Sequence, residues 1–311
     1  MIRFGCSLPQ NTADYNLVKQ VALECEKLGF DSVWMYDHFY PYGEHPHRPC
    51  YEIWTTLSAL AGVTSKIRLG TLVLCNSFRY PSIVAKMTSI LDNISKGRLE
   101  FGIGAGWFKP EFESYGISFS NSTSRIESLR EGIQIIKKMW TEEEVTYRGK
   151  YHSVQSAYNN PKPIQKPHPP VWVGGTDPAV MRIAAEFANG WNIGFYPSNT
   201  PEGFSRKVRT LERYCRELGR DPNQLLKSWH GQVIIAETQT DVEKTVAKLK
   251  PSNMSMDEYN VARIIGTPDE CYEQIKRYAE LGASYFMINF AEVEELQPLG
   301  LFARTILSRP R

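Results

Sequence analysis

The sequence predicts an α/β fold: a (β/α)8 barrel with an insertion between its fourth helix and fifth strand. Three observations carry this reading. Short apolar runs alternate with longer amphipathic ones along the 311 residues, a rhythm that favours a parallel sheet covered by helices. Eight strand-like runs are present, nearly all followed by a helix, and that count favours closure over an open sheet. No linker or low-complexity tract divides the chain. A single domain over 1–311 is therefore expected in preference to a doubly wound two-domain layout.

Arg3 to Leu8 reads as the first strand, and Asn16 to Leu28 as a helix ended by Gly29. Ser32 to Tyr36 is the second strand and Glu52 to Val63 its helix. Arg68 to Leu74 is the third, followed by a helix from Pro81 to Ile94, with proline well placed at a helix start. The fourth strand, Leu99 to Ile103, leads to the helix Arg125 to Trp140, whose Ile126, Leu129, Ile133, Ile136, Met139 and Trp140 share one face. The interruption from Thr141 to Pro170 contains a hairpin-like run, Val145 to Val154, centred on Arg148-Gly149. Five prolines then follow, at 161, 163, 167, 169 and 170, and predict an extended connection. The rhythm resumes with strand Val171 to Val173, helix Pro178 to Phe187, strand Trp191 to Ile193 and helix Glu202 to Leu218. A strand near Ser228 to Ala236, a helix from Thr240, a polar stretch around 250–260, helix Pro268 to Leu281, strand Tyr285 to Asn289 and a last helix, about Leu299 to Leu307, complete it.

Composition sets bounds. The chain is 42% hydrophobic, and 36 basic against 34 acidic residues give a net charge of +2. Neither nucleic acid nor an anionic membrane is an expected partner, and no run approaches the ~20 apolar residues of a membrane span. Strand-like sequence begins at Ile2, so no signal peptide is expected. The six scattered cysteines form no Cys-x-x-Cys pair, which is the usage of reduced thiols in a cytoplasmic enzyme.

In such a barrel the residues just past the C-terminal strand ends line a common mouth. Five of these ends are polar or glycine-rich: Asp37-His38, Cys75-Asn76, Gly104-Ala105-Gly106-Trp107, Gly174-Gly175-Thr176 and Asn192 to Gly194. Glycines at 104 and 106 let the backbone take positive φ or approach a bound group closely. Gly174 to Pro178 runs from strand through a glycine pair into a helix start, a place receptive to phosphate, or simply a short turn with Asp177 as N-cap. Asp37 and His38 put a carboxylate and an imidazole at one strand end, suited to proton exchange near neutral pH or to closing a loop. His45, His47 and Cys50 read as surface loop and no metal is expected. Glu111 and Glu113, beside Trp107, are able to donate a proton but read in the first place as solvated or helix-start charges, and Trp107, Phe108 and Phe112 as an aromatic wall or packing. Cys75 has no cationic neighbour in sequence that would make it a nucleophile.

Together these segments resemble the bacterial luciferase-like superfamily, and more closely its coenzyme F420-dependent, methylene-tetrahydromethanopterin-reductase-like branch. The likeness is carried by Leu28 to Phe39, Ile67 to Val73 with Arg79 to Pro81, Leu91 to Arg98, Gly102 to Gly116, Asn160 to Pro170 and Val173 to Gly175. It runs from Met1 to about Asn192 and continues more faintly to the end. The resemblance implies a (β/α)8 TIM barrel, commonly a homodimer, with F420 as cofactor (FMN being the alternative) and a small-molecule substrate. It implies a strand 3 bulge with a non-prolyl cis peptide at Leu72-Val73 against the cofactor ring. Asp37 then faces the ring, His38 is catalytic, Cys75 lies near the ring, and Gly174, Gly175 and Thr176 hold the phosphate of the tail. Arg79 and Arg182 are candidates for meeting a longer tail or equally for plain surface charges, and the regions Tyr40 to Cys50 and Lys250 to Asn260 for lids. One departure stands out. Deazaflavin sugar-phosphate dehydrogenases carry a glutamate proton donor where this chain has Trp107, so a sugar phosphate is not the expected substrate.

Overall fold

The computed structural model describes residues 2–41, 45–194 and 197–309. In chain order it contains β1 (Arg3–Ser7), helix Tyr15–Leu28, β2 (Ser32–Met35), helix Ile53–Val63, β3 (Arg68–Thr71), β4 (Leu74–Cys75), helix Pro81–Ile94 and β5 (Leu99–Gly104). Helices Lys109–Ser114 and Ser122–Thr141 follow, then β6 (Glu144–Arg148), β7 (Ser153–Tyr158), β8 (Val171–Gly174), helix Pro178–Phe187, β9 (Gly190–Ile193) and helix Pro201–Glu217. The last part holds β10 (Leu226–Ile235), helices Gln239–Leu249 and Met256–Val261, β11 (Ile264–Gly266), helix Pro268–Glu280, β12 (Tyr285–Phe290) and helix Gln297–Phe302.

Among the described residues ten strands form one sheet, in the order β11, β10, β12, β1, β2, β3, β5, β8, β9, with β4 on β5 and a β9–β10 pairing that closes the ring. Eight positions go round the barrel, because β3 and β4 occupy one and β11 lies outside on β10. The antiparallel pair β6–β7 stands apart from this sheet, as the predicted insertion.

Four local expectations need correction. The third strand does not run unbroken to Leu74: it stops at Thr71, crosses a cis Leu72-Val73 peptide and resumes at Leu74. A helix unforeseen from the pattern, Lys109–Ser114, forms because Phe112 and Glu111 are both fully buried by it. The polar stretch at 250–260 contains the helix Met256–Val261, started by a capping box in which Ser255 and Glu258 satisfy each other's backbone N–H groups. Ile264–Gly266, to which the pattern assigns no strand, pairs in parallel with Val233–Ile235.

Contacts divide the chain into two compact units, residues 1–9, 14–34 and 191–311, and residues 10–13 and 35–190. In the first, Phe4, Phe30, Phe286, Phe290 and Phe302 form a continuous aromatic cluster with ring centroids 5.2–5.9 Å apart. In the second, Leu69, Leu74, Leu99, Phe101, Ile103, Val171 and Val173 are buried along β3, β4, β5 and β8. At the N-terminal end of β5, buried Arg98 donates to the carbonyls of Ala61, Thr64, Ile67 and Ser95 at 2.6–3.0 Å. A single guanidinium thus satisfies carbonyls left over where the helix Ile53–Val63 ends.

Candidate active site

The chemistry-bearing residues of the second unit lie at the C-terminal ends of its strands. β2 delivers Asp37 and His38. Their loop is held from below by Gln10, almost fully buried, whose amide nitrogen donates to the carbonyls of Tyr36 (2.9 Å) and Tyr51 (2.7 Å) while its oxygen accepts from Tyr36 N–H (3.1 Å).

Asp37 is buried. Its Oδ2 accepts from the backbone N–H of Cys75 at 2.9 Å and from Arg79 Nη1 at 2.8 Å. The other arm of Arg79 donates to Glu52 Oε1 at 2.8 Å. Burial pushes the Asp37 carboxyl up from its ordinary value, against the opposing pull of Arg79. Burial works against the Arg79 charge too, but Asp37 and Glu52 outweigh it and hold the guanidinium protonated. Arg79 is therefore committed to the interior, and the expectation that it meets a cofactor tail is corrected. Asp37 is likewise committed to β4 rather than to the imidazole beside it.

The partner of that imidazole is Glu111. Its side chain is fully buried, its Oε2 lies 2.9 Å from His38 Nδ1, and its Oε1 accepts from Phe39 N–H. The reading of Glu111 as a solvated charge is thus overturned, whereas Glu113 is exposed and pairs with Lys109. The sequence signal that marks the helix is Lys109-Pro110, since proline favours a first turn. Nothing in the sequence marks which carboxylate of that helix turns inward.

Val73 explains most of the glycines. A Cβ at Gly104 would stand 2.9 Å from Val73 Cγ2, one at Gly174 2.8 Å from the same atom, and one at Gly102 3.0 Å from Val73 Cγ1. Three glycines on β5 and β8 thus form a floor on which the bulge side chain sits. Gly106 combines φ = +78° with a Cβ direction only 2.5 Å from Cys75 Sγ, so no side chain fits there. Its carbonyl accepts from Arg125 Nε. The Cys75 thiol is pushed up to about 12, chiefly by burial and then by the Asp37 charge, and it is no nucleophile at neutral pH.

Trp107 is more than half exposed. Its ring lies 6.3 Å from His38 and 5.3 Å from Phe108, which is itself 6.0 Å from His38. At the end of β8, Gly175 takes φ = +136° and the Asp177 carboxylate caps Ala179 N–H at 2.8 Å, so the helix Pro178–Phe187 starts directly behind Gly174, Gly175 and Thr176. The second unit therefore brings Asp37, His38, Val73, Cys75, Gly104, Gly106, Trp107 and Gly174 into one connected set. Asn192 to Gly194 belong to the first unit. Of the predicted lids, residues 42–44 lie outside the described residues, and His45 and His47 are exposed.

The luciferase-like monooxygenase family model matches residues 1–263. The chain belongs to this family. Within reach of it, the F420-dependent glucose-6-phosphate dehydrogenase of Microbacterium testaceum is 28% identical across 100% of this chain and 98% of its own length. The enzyme of that name from Intrasporangium calvum is 30% identical across 92% of each chain. Among solved structures, an F420-dependent secondary alcohol dehydrogenase in complex with an F420-acetone adduct superposes with a TM-score of 0.87 at 20% identity, covering 100% and 99% of the two chains. The F420-dependent tetrahydromethanopterin reductase of Methanopyrus kandleri gives 0.82 at 21% identity, covering 98% of each. These last two likenesses are of fold: the luciferase-like members share this closed barrel.

Proposed function

We propose that this chain is a deazaflavin-dependent oxidoreductase, transferring a hydride between coenzyme F420 and a small organic substrate. The observation that carries the reading is the seat built by β4, β5 and β8. Val73 is locked over Gly102, Gly104 and Gly174, and Asp37 ties Cys75 to the loop that presents His38. A surface fixed from behind by packing and from the side by a buried hydrogen bond suits a flat, rigid ring. Two relatives named as F420-dependent, matched over nearly their whole lengths, support the choice of cofactor.

When bound, a deazaflavin exchanges a hydride at the carbon that replaces the reactive nitrogen of a flavin. The protein supplies the rest. Leu72, Val73, Cys75 and Gly104 through Trp107 (with Ala105 between the two glycines) form the ring's side of the cleft. Gly174, Gly175 and Thr176, ahead of a ten-residue helix, hold the tail phosphate at a positive helix end. Asp37 acts by fixing β4, and His38 moves the proton that accompanies the hydride. Trp107 and Phe108 present aromatic surface beside His38 where sugar-phosphate dehydrogenases carry a glutamate, so the substrate is a small organic molecule other than a sugar phosphate.

Titrating the purified protein separately with F420 and with FMN tests the reading. Tight F420 binding, with hydride transfer from one member of a panel of alcohols and reduced carbonyl compounds and none from glucose 6-phosphate, is expected. FMN binding alone would replace the proposal with an oxygen-using flavin monooxygenase. F420 binding without turnover anywhere on the panel would leave a cofactor carrier.

The working form is a homodimer. Ile83, Ile90 and Ile94 lie on one face of the helix Pro81–Ile94 and are 56%, 37% and 48% exposed. An apolar stripe of this kind fits a second copy of the chain. No helix among the described residues is long and apolar enough to cross a membrane. The cysteines at 6, 25, 50, 75, 215 and 271 are all unbridged, which suits the reducing cytoplasm.

A further inference from the structure

We infer that Glu111 is a positioning residue for His38: it fixes the imidazole with a proton on Nδ1, making Nε2 the nitrogen that exchanges the substrate's proton. The inference deepens the functional reading above and rests on it only for its catalytic consequence. The tautomer itself is a property of this chain.

The argument begins with donors and acceptors. An ionised carboxylate accepts only, and a neutral imidazole has one N–H and one lone pair. Glu111 is fully buried, and its Oε1 is already engaged by Phe39 N–H, a donor that cannot move because it is main chain. The second oxygen, 2.9 Å from His38 Nδ1, is satisfied only if that nitrogen carries the proton. Buried carboxylates need such partners, because an unpaired charge in the interior is costly. The two bonds also fix the ring's direction, since Phe39 follows His38 in the chain and both are gripped by one carboxylate. Rings around it limit other rotamers: Tyr36 at 5.4 Å, Phe108 at 6.0 Å and Trp107 at 6.3 Å between centroids.

The catalytic consequence balances simply. Oxidation of an alcohol to a carbonyl releases a hydride from carbon and a proton from oxygen; the bound cofactor would supply the hydride acceptor, and His38 Nε2 takes the proton. Glu111 takes no proton in this step. Its negative charge lies against the imidazolium that forms, which stabilises the product of proton transfer.

The test is Glu111→Gln, read by two measurements. In this variant the amide oxygen keeps Phe39 N–H, and its NH2 group points at His38 Nδ1. A donor there forces the ring into the opposite tautomer. Long-range nitrogen–proton NMR of imidazole-labelled, cofactor-free protein, assigned by the signals lost in His38→Gln, is expected to show Nδ1–H in the wild type and Nε2–H in E111Q. With F420 loaded, E111Q is expected to lose about 100-fold in kcat with KM moving less than twofold, the size of one general acid–base contribution. A purely structural role would lower stability and leave the tautomer unchanged. A wild-type spectrum with the proton on Nε2 overturns the inference even if E111Q fails to fold, and an E111Q enzyme with unchanged tautomer and kcat does the same. Failure of wild-type protein to bind F420 would sink the cofactor assignment and leave the NMR result standing.

Discussion

Residue by residue, the site is governed by close contacts that leave no alternative side chain. Val73 and its glycine floor illustrate this and yield a quantitative prediction. Gly104→Ala places a methyl 2.9 Å from Val73 Cγ2 and is expected to cost about 1–3 kcal/mol, the usual range for overpacking. Because the shorter of its two contacts is with a side chain, Val73→Ala relieves most of the clash and leaves the 3.2 Å approach to the Gly174 carbonyl oxygen. The double mutant should therefore be more stable than the sum of the single effects by at least about 1 kcal/mol, measured by urea unfolding. Gly102→Ala is the control: its Cβ would stand 2.0 Å from the Thr71 carbonyl oxygen, which Val73→Ala does not remove, so no comparable recovery is expected. Additive behaviour of the Gly104 pair would refute the packing account.

At the scale of elements, the two ends of β5 do different work. The C-terminal end opens into Gly104–Trp107 and the helix that carries Glu111. The N-terminal end holds Arg98, 8% exposed, with its guanidinium spent on the carbonyls of Ala61, Thr64, Ile67 and Ser95. Barrels of this class place chemistry at the first end and stability at the second. Arg98→Met should therefore lower stability by about 3 kcal/mol, through buried carbonyls left unsatisfied, while kcat measured well below the melting temperature stays within twofold. A comparable loss of kcat in the folded variant would mean that the separation of roles fails. The short helix Lys109–Ser114 is held from outside itself. Six residues are too few to be stable alone, and what fixes them is burial of Phe112 and the Glu111 bonds to His38 and Phe39.

For the whole molecule, the exposed isoleucine stripe on Pro81–Ile94 makes the oligomeric state testable without touching the site. Ile90→Lys is expected to shift the protein from dimer to monomer at micromolar concentration in light scattering, with an unchanged circular dichroism spectrum, because a charge is poorly tolerated in an interface core. A wild-type protein that is monomeric at the same concentration would remove the homodimer from the account.

The alternation of periods was legible in the chain itself, and with it the eight-position barrel, the insertion after the fourth helix, and the strand ends that bear Asp37, His38, Cys75, Gly104 and Gly174. Periodicity is a local property, set by neighbours a few residues apart, so no tertiary information is needed to read it. Partnership was not legible. His38 and Glu111 are 73 positions apart, and Asp37 and Cys75 are 38 apart. Only closure of the sheet decides that Asp37 meets Cys75 and Arg79, that Glu111 and not Glu113 turns inward, and that Gly104 and Gly174 serve a valine. By sequence alone an acid near a tryptophan is a surface charge, because most are. The fold makes Glu111 an exception by burying it against the His38 imidazole and the Phe39 N–H, which no pattern of adjacent residues records.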